Sequence, residues 1–375
     1  MNSHYMDLFL CKLQTLGYSA LFELQYERLL TSFFGEKRES LSLNEVEGIR
    51  VQDCLDYLQL SESDAILGLE SVGQAAILKL NGGLGTTMGC DGPKSLIPVF
   101  GSNSFLDIIF QQVEFLRKST GVDVPLFLMD SFATHEGTQA ALNGTTCQLF
   151  LQHQIPRIHT KKMTPAQFPH SPDLEWAPPG HGDVFWVIHE LGILDDLLAK
   201  GIRYMFISNS DNLGATFDTR ILGMMVRENL DMVMEVSKRT ALDVKGGAIV
   251  KHGDRFRLLE RAQVQESELS QFEDIDRFSV FNTNSIWVDL KSLKQRLLDH
   301  RFELPVIVNP KVVEDEPIIQ LEMAMGAAIE IFDRVQLLHV PKSRFLPVKK
   351  VEDLIRLRSL VQCISESGHL VMANG

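Results

Sequence analysis

From Ile77 to Pro98 the chain reads Ile-Leu-Lys-Leu-Asn-Gly-Gly-Leu-Gly-Thr-Thr-Met-Gly-Cys-Asp-Gly-Pro-Lys-Ser-Leu-Ile-Pro, with five glycines (Gly82, Gly83, Gly85, Gly89, Gly92) ahead of a single lysine, Lys94. Glycine lets backbone N–H groups approach an anion closely and accepts positive φ, so such a loop can wrap a phosphate chain. Lys94 adds a mobile cation where the phosphate charge would sit. Five glycines in eleven positions are costly in chain entropy, and a plain surface turn gives no reason for them. The spacing matches neither common phosphate signature. Gly83, Gly85 and Gly89 stand one residue too far apart for the dinucleotide fingerprint, and Pro93 separates Gly92 from Lys94 where a P-loop has them adjacent. A proline lacks the N–H that a loop of consecutive backbone donors would use. The chemistry expected is the gripping of a nucleotide's phosphates.

A second group stands at Ser208-Asn-Ser-Asp-Asn-Leu-Gly214, just after an apolar run at 204–208 that reads as a strand. Asp211 therefore falls at a strand's carboxyl end. Mg²⁺ takes one or two carboxylates and fills its remaining positions with substrate oxygens and water, so Asp211 is the expected metal ligand. A third group, Pro178-Pro-Gly-His-Gly-Asp183, sets a histidine between two glycines. Glycine admits a flat base, and histidine can donate to a phosphate oxygen.

The glycine loop closely resembles the signature of the eukaryotic-type UTP–glucose-1-phosphate uridylyltransferase family, roughly L-N-G-G-L-G-T-x-M-G-x-x-G-P-K-S. Related UDP-N-acetylhexosamine pyrophosphorylases carry Arg-Leu where this chain has Thr87-Met88. Pro125-Leu-Phe-Leu-Met-Asp-Ser-Phe, Gln152-His-Gln-Ile-Pro-Arg-Ile, the 178–183 and 208–214 segments and Ser343-Arg-Phe-Leu-Pro-Val-Lys349 match the same family in the same order. Asp243-Val-Lys-Gly-Gly247, Phe281-Asn-Thr-Asn284 and Gln320-Leu-Glu322 are further landmarks, so the resemblance runs from about 40 to about 360.

The resemblance implies roles that spacing alone does not give. Leu80, Asn81, Gly82 and Gly83 would border the nucleotide, with Gln152 on the uracil edge and Gly180 against the base. Asn209 and Ser210 would serve the nucleoside or sugar, although serine at 210 departs from the alanine or isoleucine expected there. His181 would meet the sugar phosphate, and Asn282, Asn284 and Glu322 the glucosyl hydroxyls. Lys349 matches the second catalytic lysine after Lys94; Lys350 beside it blurs the assignment by one position. Asp91 stands where the family often has a basic residue, and unless it points to solvent a weaker hold on UTP is expected.

The implied reaction joins UTP and glucose 1-phosphate into UDP-glucose and pyrophosphate, reversibly and with Mg²⁺. A phosphate monoester loses its second proton near pH ~6, so the attacking oxygen is ionised without a general base. What the protein must supply is in-line alignment and neutralisation of crowded negative charge. Two alternatives stay open: the same chemistry on another sugar 1-phosphate (N-acetylglucosamine or galactose), and a nucleotide-sugar-binding protein without turnover.

At 375 residues the chain has room for one large α/β domain and an appendage. Short apolar runs at 75–80, 125–130, 204–208, 231–237, 248–251, 278–281 and 285–288 read as strands, and 103–119 and 192–200 as helices. The alternation predicts a three-layer, Rossmann-like (GT-A-like) nucleotidyltransferase fold with a mixed, mainly parallel sheet. The expected division is a helical N-terminal segment at 1–73, a catalytic domain at 74–350 and a helical tail at 351–375. Ser42 and Glu45 fit a capping box ahead of another amphipathic helix. A net charge of −13 disfavours nucleic acid and anionic membranes, and requires a cationic cleft if two anionic substrates are to meet. No apolar run approaches the ~18 residues of a spanning helix. Five scattered cysteines without C-x-x-C spacing, and an N-terminus without a basic leader, point to a reduced cytoplasmic protein. With the sequence ending at Gly375, no C-terminal β-helix is expected, and the assembly predicted is a monomer or weak dimer.

Overall fold

The computed structural model describes residues 3–35, 42–142, 144–240, 243, 246–299 and 302–373. Among the described residues the main sheet has eleven strands, eight of which form one continuous path, in chain order β1 (Leu55–Asp56), β2 (Ala75–Leu80), β3 (Leu126–Asp130), β4 (Gln148–Leu151), β5 (Tyr204–Asn209), β6 (Met232–Lys238), β7 (Val280–Asp289) and β8 (Val335–His339), while Glu47–Gly48, Ala248–His252 and Arg255–Leu259 pair off it. Across the sheet the eight lie in the order β1-β8-β6-β7-β5-β2-β3-β4. On this path β7 runs against both its neighbours and every other pairing is parallel. The mixed, mainly parallel α/β architecture read from the sequence is the one observed.

Every residue of β2 is buried, as a strand covered on both faces must be. Its period of two divides it between two cores. Ala76, Leu78 and Leu80 join Phe127, Met129, Met205, Ile207, Met232 and Met234 on one face. Ala75 and Ile77 join Leu126, Tyr204, Phe206 and Val233 on the other. Helices α1 (Ser3–Gln14) and α2 (Ala20–Phe34) cover the first face through Phe9, Leu13, Phe22, Tyr26 and Leu30. The second is covered by α3 (Phe105–Thr120) through Phe105, Ile108, Ile109 and Val113. Further along the chain, α4 (Val184–Glu190) packs into the first core, and α5 (Thr219–Arg227) and α6 (Val351–Leu360) into the second. No described helix is long and apolar enough to cross a membrane.

Leu80 and Asn209 lie opposite each other at the ends of the adjacent parallel strands β2 and β5. The glycine loop and the Ser210–Asp211 turn therefore leave the sheet side by side, at the carboxyl edge where open α/β sheets hold ligands.

Four expectations change. The strands expected at 278–281 and 285–288 are one continuous strand, β7, with a register shift against Glu235/Val236 and Asn284 at φ 56°. Asn282 and Asn284 hydrogen-bond each other across that kink, which keeps the strand whole through a polar stretch. The capping box at Ser42 is present but closes a single 3₁₀ turn, Leu43–Glu45. The chain then extends and pairs Glu47–Gly48 with Val250–Lys251. Residues 1–73 thus do more than pack on the core, since β1 also joins the edge of the sheet. Beyond α6 the tail leaves the helical path and forms a hairpin of Val361–Ile364 with Leu370–Met372, turned through Gly368 at φ 72°.

Candidate active site

The glycine loop folds back on itself. Lys94 N–H donates to Gly83 O at 3.0 Å and Gly85 N–H to Gly92 O at 2.9 Å, so Lys94 returns to the mouth of the loop. Asn81, expected to border the nucleotide, uses its amide on Asp130 Oδ1 (2.8 Å) and Thr138 Oγ1 (3.0 Å), while its N–H holds Met129 O (2.7 Å). Its side chain fixes the root of the loop. Leu80 is buried in the core, and its carbonyl accepts from Ser210 N–H at 3.0 Å. Asp91 is exposed.

Gly82 lies against Gln152, because a Cβ at 82 would come within 2.6 Å of Gln152 Nε2. Gln152 is buried, its N–H bound to Asp130 O at 2.8 Å. One side of the cleft is thus a glycine surface beside an amide that can both donate and accept. Gly180 has φ 83°, and a Cβ there would stand 2.5 Å from Met323 O, so both backbone strain and lack of space require glycine. Met323 N–H holds Pro179 O at 2.7 Å, which fastens this turn to the strand Glu316–Met323 that carries Glu322.

Next in the turn, His181 Nδ1 accepts the Met325 N–H at 3.0 Å. Burial, with the Lys349 charge nearby, pushes its pKa down to about 4. The ring is therefore neutral with its proton on Nε2, a fixed donor for an anionic oxygen.

Lys349 is exposed at the end of a strap zipped onto the Asp211 turn. Val348 N–H donates to Asp211 O (3.1 Å), Leu346 N–H to Asn212 Oδ1 (2.9 Å), and Asn212 Nδ2 to Arg344 O (3.2 Å). Thr87 Oγ1 reaches across from the glycine loop to Lys349 O at 2.9 Å. Asp353, in the first turn of α6, accepts from the N–H groups of both Lys349 and Lys350. On the floor, Lys94 Nζ lies 2.6 Å from Asp211 Oδ2, and Asp211 Oδ1 is buried without a partner. Asn209 and Ser210 line the same edge.

On the far side, Glu322 Oε1 accepts from Asn309 Nδ2 at 2.8 Å. Asn282 Nδ2 donates to Asn284 Oδ1, while Asn282 N–H holds Gly247 O at 3.2 Å. Of the landmark at 243–247, positions 244 and 245 lie outside the described residues.

The sequence reading missed Glu260. Gly247 abuts its carboxylate, with a Cβ there meeting Glu260 Oε1 at 2.6 Å. Burial raises its pKa, Lys349 pulls it down and Glu322 pushes it up, so it faces the same space as both. The available signal was its position, one residue past the strand Arg255–Leu259. Arg344 was also passed over: it is buried and grips Glu235 with two bonds of 2.8 and 2.7 Å.

Lys94 is thus paired with Asp211, and the glycine loop touches the strap that carries Lys349, whose charge reaches His181. The family model for UTP–glucose-1-phosphate uridylyltransferase matches residues 20–374. The chain belongs to this family. A UTP–glucose-1-phosphate uridylyltransferase of Dictyostelium discoideum is 40% identical over 387 residues, covering 98% of this chain and 76% of that protein. The enzyme of that name from Solanum tuberosum is 43% identical, covering 79% of this chain and 63% of its own length. Among solved structures, a Leishmania major UDP-glucose pyrophosphorylase variant in complex with UDP-glucose superposes with a TM-score of 0.90 at 32% identity, covering all of this chain and 83% of the other.

Proposed function

We propose that this chain transfers a uridylyl group from UTP to glucose 1-phosphate, giving UDP-glucose and pyrophosphate. The observation that carries the proposal is the convergence of Lys94, Asp211, Lys349 and the neutral His181 on one cleft, against the chain's net negative charge. In this reading uracil lies between Gly82 and Gly180, with Gln152 on its imide edge. Lys94 and the glycine loop hold the triphosphate. His181 Nε2–H donates to the sugar phosphate, and its Nδ1 is fixed by Met325 so that this proton points one way. Lys349, carried by the strap over the Asp211 turn, neutralises charge at the α-phosphoryl group. Glu322, Asn282 and Asn284 receive the hexose hydroxyls, and Glu260 adds a second carboxylate to that side.

The residues fit Mg²⁺. Asp211 offers a buried oxygen with no hydrogen-bond donor, and no cluster of three His, Cys, Asp or Glu exists among the described residues. A single carboxylate plus substrate oxygens suits this cation, whereas an all-protein cage does not. When bound, Mg²⁺ would supply charge neutralisation of the triphosphate.

The test is pyrophosphate release by the purified chain with UTP, Mg²⁺ and glucose 1-phosphate, beside N-acetylglucosamine and galactose 1-phosphates. Turnover on glucose 1-phosphate supports the proposal. Turnover on another sugar phosphate alone would replace the substrate, and binding without turnover would replace the activity.

A further inference from the structure

His153, one residue beyond Gln152, has no part in the scheme above, yet it is the most constrained histidine near the cleft. Its Nδ1 lies 2.8 Å from Asp183 Oδ1 and its Nε2 3.2 Å from Glu190 Oε2. Carboxylates only accept, so both ring nitrogens donate and the ring is an imidazolium. Burial opposes that charge, but Asp183 and Glu190 outweigh it and push the pKa up to about 9. Phe22, on α2, stacks on the ring with centroids 3.6 Å apart and planes 13° from parallel, while Tyr18 meets it edge-on at 4.8 Å. A cation between aromatic rings is stabilised by their π-faces.

Each partner belongs to a different piece of the protein. Asp183 ends the turn that presents Gly180 and His181, and its second oxygen also binds the His153 N–H at 2.8 Å. Glu190 ends α4 and accepts from the Ser19 N–H, which caps α2, at 3.0 Å. Gln154 N–H donates to Tyr18 Oη at 3.1 Å. We propose that His153 is a positioning residue for nucleotide recognition, its imidazolium tying the Gln152 segment, the turn at 180–183 and the start of α2 into one unit. The base-facing wall of the cleft then keeps its shape only while the N-terminal helices are docked. The inference rests on the reading that Gln152, Gly82 and Gly180 receive the base.

The titratable groups facing the ring are Asp183, Glu190 and Tyr18. The Tyr18 hydroxyl is pushed up to about 12, chiefly by burial, and stays neutral where the ring titrates. A histidine with a raised folded pKa gives its full contribution below the ordinary ~6.5 and loses it as pH climbs through about 9.

The experiment measures UTP and glucose 1-phosphate kinetics on the full chain for wild type, Gln152→Ala, His153→Gln and Glu190→Gln. His153→Gln is expected to raise KM for UTP about tenfold and, because the same turn carries His181, KM for glucose 1-phosphate by a smaller factor, with kcat changed little. Its KM for UTP should also lack the alkaline rise that wild type shows on passing pH ~9. Uracil ionises identically with both proteins, so the difference between the two profiles isolates His153. Glu190→Gln should shift the same way by less, and it carries the test if His153→Gln does not fold. A folded His153→Gln or Glu190→Gln with wild-type KM for UTP, or with loss confined to kcat, overturns the proposal. If Gln152→Ala itself leaves KM for UTP unchanged, the base-site reading fails; if Gln152→Ala raises it and His153→Gln does not, only the role of His153 fails.

Discussion

The Lys94 ammonium sits 2.6 Å from Asp211 Oδ2, joining the cation that ends the glycine loop to the carboxylate that ends β5. Their side chains are only 12% and 18% exposed, so the pair interacts with little solvent screening. Asp211 keeps a second oxygen that is buried and has no hydrogen-bond partner. A triphosphate with its cation would compete with each residue for the other, so substrate binding exchanges this ion pair for two new ones. Asp211→Asn keeps the shape and removes the charge. It is expected to lower kcat by about 10²–10³ and to raise the Mg²⁺ concentration needed for half-maximal rate. Lys94→Ala should fall in the same range. An Asp211→Asn protein with an unaltered Mg²⁺ requirement would remove this residue from the metal site.

Lys349 and Lys350 separate by experiment where sequence left them one position apart. Both are exposed, and the Lys350 ammonium faces Glu352 at 3.8 Å, whereas the charge of Lys349 is felt by His181 and Glu260 inside the cleft. Lys349→Ala is therefore expected to cost about 10²–10³ in kcat, with a stability change within about 0.5 kcal/mol. Lys350→Ala should leave turnover near wild type. A fall of less than tenfold for Lys349→Ala would break its assignment.

Local chemistry made much of this legible. The loop at 82–94 announced itself by glycine density, and the buried strands by runs such as Ala75–Leu80, because both depend on near neighbours in sequence. Lys79 shows the limit. It sits inside that apolar run, its ammonium donating to Ser208 Oγ and Ala215 O at 2.7 Å each, and burial pushes its pKa down to about 7. Nothing local says that its partners lie more than a hundred residues on. Arg344 likewise meets Glu235 from more than a hundred residues away, and His153 meets Asp183, Glu190 and Phe22 only because separate helices and turns pack together. The two short strands read around Asn282–Asn284 failed for a related reason: two asparagines look like a turn until their side chains satisfy each other within β7.

Arg344 anchors the strap that carries Lys349. It is buried, bound twice to Glu235, and within 3.5 Å of Asp218. Trp287 Nε1 donates to the same Glu235 at 3.0 Å. Replacing Glu235 by Gln leaves a buried guanidinium facing a neutral amide, and removing one partner of such a pair typically costs about 3–5 kcal/mol. Denaturant unfolding of Glu235→Gln should show a loss of that order, and Arg344→Met should cost at least as much, because it leaves the fully buried Glu235 carboxylate with only Trp287 Nε1 as donor, whereas in Glu235→Gln the guanidinium keeps Asp218 and Thr216 O. The reverse ranking would mean that the pair does not govern this region.

His181 should behave as a neutral donor. Its pKa is pushed down to about 4 by burial, with the Lys349 charge second. A base with a depressed folded pKa binds fewer protons folded than unfolded, so stability falls as pH drops from the ordinary ~6.5 toward 4 and is unaffected above. Imidazole NMR signals of His181 should stay flat between about pH 5.5 and 8, with the proton on Nε2. In Lys349→Ala the titration should move upward, toward the ordinary histidine value. A midpoint near pH ~6.5 in wild type would show that the ring is solvated and charged, contrary to the role given it.

Glu260 supplies the sharpest division between the two halves of the cleft. Its carboxylate lies against Gly247 and feels the charges of Lys349 and Glu322. Burial raises its pKa, which leaves an acceptor that gains from any hydroxyl able to donate to it. Removing a buried charged acceptor from a hydroxyl usually costs about 1.5–3 kcal/mol, or roughly ten- to a hundredfold in affinity. Glu260→Ala is therefore expected to raise KM for glucose 1-phosphate by that factor while KM for UTP changes less than about twofold. Glu260→Gln, which keeps the shape and one acceptor oxygen, should recover part of the loss. Because Lys349 lies within the field of Glu260, the same variant should also lower the His181 pKa further by leaving the lysine less compensated. Equal losses for both substrates would place Glu260 in the scaffold of the cleft, and a selective loss for UTP would put the sugar on the other side.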